Sequence, residues 1–400
     1  MSNSTKGGVA MNGSIARRTL ITLLIAVAVP VVAQAATWNV ERDGSGDFSI
    51  IQDAVDASAP GDSILIGLGR FGELRTGALL LHGGKAALIL WVNKPGLTII
   101  GSGNESTIIG PSAYTPEFEG WDTGSVLVDF GADCEIRDVG MDNTLYEFTI
   151  FATTLAEDCR VVRYAWRRDY GGFVGECSGT VLRRVEFIDT GGFTTLVGAQ
   201  DVLLEDCHVE DQFLDAVGIH IGNGAQGCVI RNCTVEGGGT AIQFSGTGTI
   251  EDCTATGMMD AGLVVGSGSQ VVATRYEIGV SRIGVFVTHG ARLELLDSVI
   301  EGGTLATIAS SADVYVRGSH ILNAGGLTVR GTTNTPGMAI DVRDNWWGTS
   351  DPAQIEAWIY DPYGTVLWDP FNGMAIPTQS NSIGKLKGNF RGHGFGSRPE

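Results

Sequence analysis

Proline is scarce in this 400-residue chain, at 11 residues, and lysine and arginine together number only 26 against 45 acidic residues. The resulting net charge of −19 repels phosphate backbones and anionic bilayers, which excludes nucleic acid and membrane surfaces as default partners. The six histidines are scattered, so a zinc or copper centre, which needs imidazoles or thiolates converging on one point, is not expected. No segment of ten residues keeps a 3.6-residue apolar period, which excludes helical repeats. Glycine, by contrast, is abundant, at 58 residues or about twice its usual share, as suits a chain that turns often.

The N-terminus carries Arg17 and Arg18, an apolar run from Leu20 to Val32, and then Ala33-Gln34-Ala35. This is the layout of a secretory signal cut after Ala35, and the run is too short to span a bilayer as a mature helix. The chain is therefore expected to be secreted, periplasmic or on a bacterial cell surface, with no membrane span after cleavage.

Cys159, Cys207, Cys233 and Cys253 sit in near-identical contexts, "LAEDCRV", "LLEDCHV", "VIRNCTV" and "TIEDCTA". Without insisting on cysteine, the register extends through Asp138, Cys159, Val185, Cys207, Cys233, Cys253, Tyr276, Ser298, Ser319 and Asn345, at intervals of roughly 23 residues. Residues three and five before each position, and two after it, are mostly apolar. Two polar residues interrupt that alternation just before the repeat position, which predicts strand, corner, strand. A further strand follows in each coil, at "GIHIGNG", "AIQFSG", "GLVVGSG", "GVFVTHG" and "GLTVRG". Short strands that repeat and always run the same way can only stack in parallel, and parallel crossovers are right-handed. The expected fold is all-β, a single right-handed parallel β-helix over residues 36–371, preceded by the signal at 1–35 and followed by a Gly-rich tail at 372–400 without periodicity.

Both ends of such a solenoid need covers. "DFSIIQDAVDASAPGDSILIG" reads as a short helix through Ile51, Ala54 and Val55 leading into a first strand, and Asp351-Pro352 opens a closing helix expected to run to about Tyr360. These two segments also carry a resemblance. "DGSGDFSIIQDAVDASAPGDSILIGLGRF" resembles the opening of pectin-lyase-like β-helix proteins, and "DNWWGTSDPAQIEAWIYD" is similar to the closing coil of bacterial secreted β-helix repeat proteins. The resemblance implies the fold, and work on extracellular polysaccharides as the fold's usual employment. It implies no catalytic residue: of the polygalacturonase motifs only Gly392-His393-Gly394 occurs, in the tail.

Two columns of charge precede the repeat position: Glu157, Arg183, Glu205, Arg231 and Glu251, and beside them Asp158, Arg184, Asp206, Asn232, Asp252, Arg275 and Asp297. Opposite signs alternate at the spacing of neighbouring coils, so these are expected to be a structural ion ladder. The cysteines are expected to be small core residues stacked between coils, with at least one of the seven unpaired.

Function is sought in what remains. "RVVRYAWRRDYGGF" gathers Arg163, Trp166, Arg167, Arg168 and Tyr170, offering an aromatic face and guanidinium groups that match a uronate carboxylate. "EDQFLDAVGIHIGNG" places Asp211 and Asp215 before a strand whose outward residue is His220, with Gln243 beside it one coil on. Carboxylates, an imidazole and an amide on one face suit general acid and base work. Two functions follow: a lyase or hydrolase acting on an acidic polysaccharide, with Asp211, Asp215 and His220 catalytic and the Arg/Trp segment and Gln243 binding substrate, or a non-catalytic surface or glycan-binding rod. Calcium is the one cofactor that the acidic balance leaves open.

Overall fold

The computed structural model describes residues 34–76, 86–113, 122–144, 146–162, 172–175, 177–190, 192–195, 198–211, 216–279, 281–323, 325–332 and 338–376, and only the backbone of Ala86, Asp122, Tyr146, Glu147, Phe173, Thr194, Thr195 and Asp211. Arg163, Trp166, Arg167, Arg168, Tyr170 and Asp215 lie outside the described residues, as do most of the expected leader and the tail from residue 377.

Among the described residues, three sheets of 14, 11 and 13 strands are built from strands that recur once per coil. Leu203–Glu205, His208–Asp211 and Val217–Ile221 supply one strand each to the first, second and third sheets. Cys228–Arg231, Thr234–Gly237 and Thr240–Phe244 repeat the pattern directly over them, in parallel register. Arg75–Thr76, antiparallel to Ala86–Val92, departs from this. The interior is a continuous column of buried Ile, Leu, Val and Phe running from Val40 to Val366. The architecture is the expected parallel β-helix.

The corner between the first and second sheets explains the two polar residues that broke the sequence alternation. Asp138, Asp158, Arg184, Asp206, Asn232, Asp252, Arg275, Asp297 and Asp344 all have φ between 50° and 59°, in the left-handed region. Asp and Asn tolerate that region through local hydrogen bonds, and Gly318, φ 62°, takes the place without a side chain. Arginine has no such excuse. Arg184 and Arg275 are held there by paired hydrogen bonds to the carboxylates of Asp158 (2.7 and 2.8 Å) and Asp252 (2.6 and 2.7 Å), one coil back.

The neighbouring outward column pairs as expected. Glu157, Arg183, Glu205, Arg231 and Glu251 stand opposite one another on successive strands. Arg183 reaches both Glu205 at 2.9 Å and Glu157 at 3.4 Å, and Arg231 bonds Glu251 at 2.9 Å. Glu157 also meets Arg137 and Arg184. A hydrogen bond from Arg184 foremost, with Arg137 and Arg183 adding to it, holds its carboxyl below the usual range despite burial. Each of these solvent-screened pairs contributes little, but together they oppose slippage by one coil.

Immediately after the corner the chain turns inward. Cys159, Val185, Cys207, Cys233, Cys253, Tyr276, Ser298, Ser319 and Asn345 form one buried column. The thiols of Cys159, Cys207, Cys233 and Cys253 each lie within hydrogen-bonding distance of a carbonyl two residues back and another in the preceding coil, between which the single S–H is shared. Further along, the side chain in each coil accepts the backbone N–H of the coil before it: Ser298 from Tyr276, Ser319 from Ser298 and Asn345 from Ser319. The column thus satisfies the groups that the corner removes from the sheet ladders. All seven cysteines are buried and free, and burial pushes the Cys134 and Cys159 thiols up to about 12.

Two expectations need correction. Asp138 is itself a left-handed corner residue, and Val139, fully buried, takes the inward place. With no cysteine to mark the inward place in this coil the predicted register falls one residue short there, whereas Val185, Tyr276, Ser298, Ser319 and Asn345 keep it. The closing helix is Pro352–Ala357, shorter than expected, with the Asp351 carboxylate accepting from the Ala353 N–H. It stops because Ile359–Tyr360 leaves to pair with Val329–Arg330 in the third sheet. The opening helix is Ile51–Ala57, burying Ile51, Ala54 and Val55 as expected.

Candidate functional site

The strands of the third sheet alternate, as period-two strands must. Ile219, Ile242, Leu263, Val285, Ile308 and Val329 point into the core and are fully buried. The residue after each points outward, and the register aligns His220, Gln243, Val264, Phe286, Ala309, Arg330 and Tyr360 in one row across seven successive coils. Neighbouring coils are about 4.8 Å apart, so the row extends for roughly 29 Å. Gly262, the residue before the inward Leu263, has no room for a side chain: a Cβ there would lie 2.2 Å from Ile278 Cγ2 of the second sheet.

The row changes character along its length. His220 and Gln243 are half-buried and adjacent, and neither makes an ion pair or side-chain hydrogen bond among the described residues. Burial alone pushes the His220 imidazole below its ordinary value, so the ring is neutral at neutral pH. It can accept a proton or a hydrogen bond but carries no charge there. Phe286 and Tyr360 expose 38% and 48% of their surface, and Ala309, next to Phe286 in the row, is buried. Arg330 is exposed and, among the described residues, is the one lysine or arginine with neither an ion pair nor a hydrogen bond. Arg282, on the flank of the same sheet, is taken by Asp260 at 3.1 Å.

The predicted site is thus brought together only in part. His220 and Gln243 are in register, as expected. Asp211 is the last residue of a second-sheet strand, opposite Gly237, so its backbone lies across the corner from the row. Phe286, Arg330 and Tyr360 were not singled out from the sequence. The available signal was positional for Phe286, which holds in "GVFVTHG" the place that His220 holds in "GIHIGNG"; in "GLTVRG" that place falls to the buried Thr328, so Arg330 carried no such signal. Among the described residues no three of His, Cys, Asp and Glu converge as a metal site would require.

Comparison with known proteins bears on the fold. Residues 170–335 match the family described as a right handed beta helix region. No curated protein matches the sequence. Among solved structures, the A-module of the Azotobacter vinelandii mannuronan C-5 epimerase AlgE4 is similar with a TM-score of 0.57 and 16% identity, over 79% of this chain and 93% of that one. The ORF18 protein of Geobacillus virus E2 has a TM-score of 0.45 and 13% identity over 74% of this chain, which spans 55% of its length. DFA-IIIase from Arthrobacter chlorophenolicus A6, solved without its lid in complex with GF2, has a TM-score of 0.47 and 12% identity over 86% of this chain and 99% of that one.

Proposed function

For this right-handed parallel β-helix we propose an exported, carbohydrate-binding protein that holds a polysaccharide along the outward row of its third sheet. The observation that carries this is the row itself: polar side chains without partners among the described residues and exposed rings, aligned coil by coil on a chain whose other described arginines and lysine are all engaged. A polymer with a repeat of its own is the natural ligand for a surface with a repeat. The mannuronan epimerase is named for a polysaccharide substrate, and we carry over that ligand class and not its reaction. Export follows the leader expected to end at Ala35.

Two versions of this function differ in chemistry. In the catalytic one, the protein is a lyase or hydrolase on an acidic polysaccharide, in which neutral His220 takes a proton and Asp211 or Asp215 supplies one. In the other, the row binds without reaction. The position of Asp211 beyond the corner favours the second. Incubation of the mature protein with a polysaccharide panel, with and without calcium, separates them through unsaturated or reducing ends. Binding itself is tested by affinity electrophoresis of His220→Ala and Gln243→Ala. Each is expected to weaken retention about tenfold, the equivalent of one to two hydrogen bonds at about 1 kcal/mol each. Unchanged retention in both variants would remove the row from the proposal.

A further inference from the structure

We infer that Arg330, flanked by Phe286 and Tyr360, forms a second subsite on the third sheet that takes an anionic sugar, a ring bearing a carboxylate or sulfate. The inference rests on the reading that a glycan lies along this face. Its own support is the isolation of Arg330. The described arginines at positions 70, 75, 137, 160, 183, 184, 231, 275, 282, 292, 317 and 343 all meet carboxylates, Arg42 bonds the Arg70 carbonyl, and Lys94 bonds three carbonyls of the opening helix and its end. In a chain of net charge −19, one exposed guanidinium with no partner among the described residues is an exception.

A guanidinium presents two parallel donors that fit a planar carboxylate or a sulfate edge. Tyr360 stands one coil away and Phe286 two coils back, so a ring held by Arg330 has an exposed aromatic face on either side. Arg330 is five coils, roughly 24 Å, from His220. A ligand that engages both must be an extended polymer running along the rod, with the amide and imidazole at one end and the cation at the other.

The test compares Arg330→Gln and His220→Ala with the unsubstituted protein, using fluorescently labelled uronate and sulfated oligosaccharides of increasing length and neutral oligosaccharides as controls. Arg330→Gln is expected to weaken long anionic oligosaccharides roughly tenfold and to reduce the salt dependence of their binding, with neutral ones unaffected. Whether uronates, sulfates or both respond identifies the anion. Equal loss for neutral and anionic ligands, or no loss in Arg330→Gln while His220→Ala still weakens binding, overturns the subsite and leaves the broader reading standing. Absence of binding by every ligand overturns both.

A second inference rests on a different observation. The backbone nitrogen of Ala36 donates to Asp62 Oδ1 at 2.7 Å, and the same carboxylate, 4% exposed, accepts from Trp38 Nε1 and the Ala59 N–H. Hydrolysis of the Ala35–Ala36 bond by a signal peptidase leaves a carboxylate on Ala35 and an ammonium on Ala36. We propose that this new ammonium pairs with Asp62, so that removal of the leader fastens the first strand, Thr37–Val40, onto its neighbour Ser63–Ile66. An amine that gains such a partner stabilises the fold at pH values below its titration, and the effect disappears as pH rises through it. Protein beginning at Ala36 with a free amine is expected to melt about 3 °C above the same protein acetylated at Ala36, with the difference lost at high pH and in Asp62→Asn. Equal melting of the free and acetylated forms, or a difference that survives in Asp62→Asn, overturns it.

Discussion

Trp347→Ala is expected to lower the stability of the C-terminal coils by about 4 kcal/mol, the largest effect of any single substitution considered for this chain. Trp347 is the largest fully buried side chain among the described residues, and it shares the core with Ile355 of the closing helix near the C-terminal end, where few neighbouring coils remain to collapse into the space it would leave. Its indole Nε1 is buried without a hydrogen-bond partner among the described residues. Trp347→Phe therefore loses volume but no hydrogen bond, and is expected to cost only about 1 to 2 kcal/mol. Because solenoid coils depend on their neighbours, the loss should register first as faster amide exchange in Ile340–Asp341 and Val366–Leu367, and only then as a lower urea midpoint. Similar midpoints for the alanine and phenylalanine variants would contradict the assignment of the effect to packing.

The second large effect is expected at Asn345, which ends the inward column. Its carbonyl oxygen accepts the Ser319 N–H at 2.8 Å, and the two hydrogens of its amide nitrogen are shared among the carbonyls of Val316, Val342 and Arg343 at 2.8 to 2.9 Å. Alanine would leave the N–H and at least two carbonyls without partners, at about 3 kcal/mol in all. Serine offers a sharper comparison. Ser298 and Ser319 occupy the same slot in the two preceding coils, each accepting the N–H before it and donating to a carbonyl two residues back. Asn345→Ser is therefore expected to recover about half of the loss in urea unfolding. Failure of serine to recover any of it would mean that the slot is defined by volume and not by its hydrogen bonds.

Much of this framework was legible because it repeats. Alternating Glu and Arg before each cysteine announced the ion ladder, and the two consecutive polar residues announced the corner. What the pattern did not carry was the left-handed backbone at Arg184 and Arg275, since arginine has no preference for that region and is held there by partners from another coil. The slip at Asp138 arose from the same source: where cysteine is missing, a corner aspartate and an inward valine compete for one place in the repeat. The outward row of the third sheet was harder still. Its strands are joined by turns of changing length, and the pairing of Ser281–Val287 with Gly303–Ser310 shifts register between Ser281 and Ile283. Phe286, Arg330 and Tyr360 therefore share no fixed spacing in the chain. The distinction of Arg330 is also relational, since it emerges only after the partners of the other arginines are known.

The charge alternation along Glu157, Arg183, Glu205, Arg231 and Glu251 has a consequence for coil number. Removing one coil from this stretch would set Glu157 over Glu205, acid against acid, whereas removing two would set it over Arg231 and restore the match. Coils can therefore be removed from or added to this part of the rod with its charges still matched only in even steps.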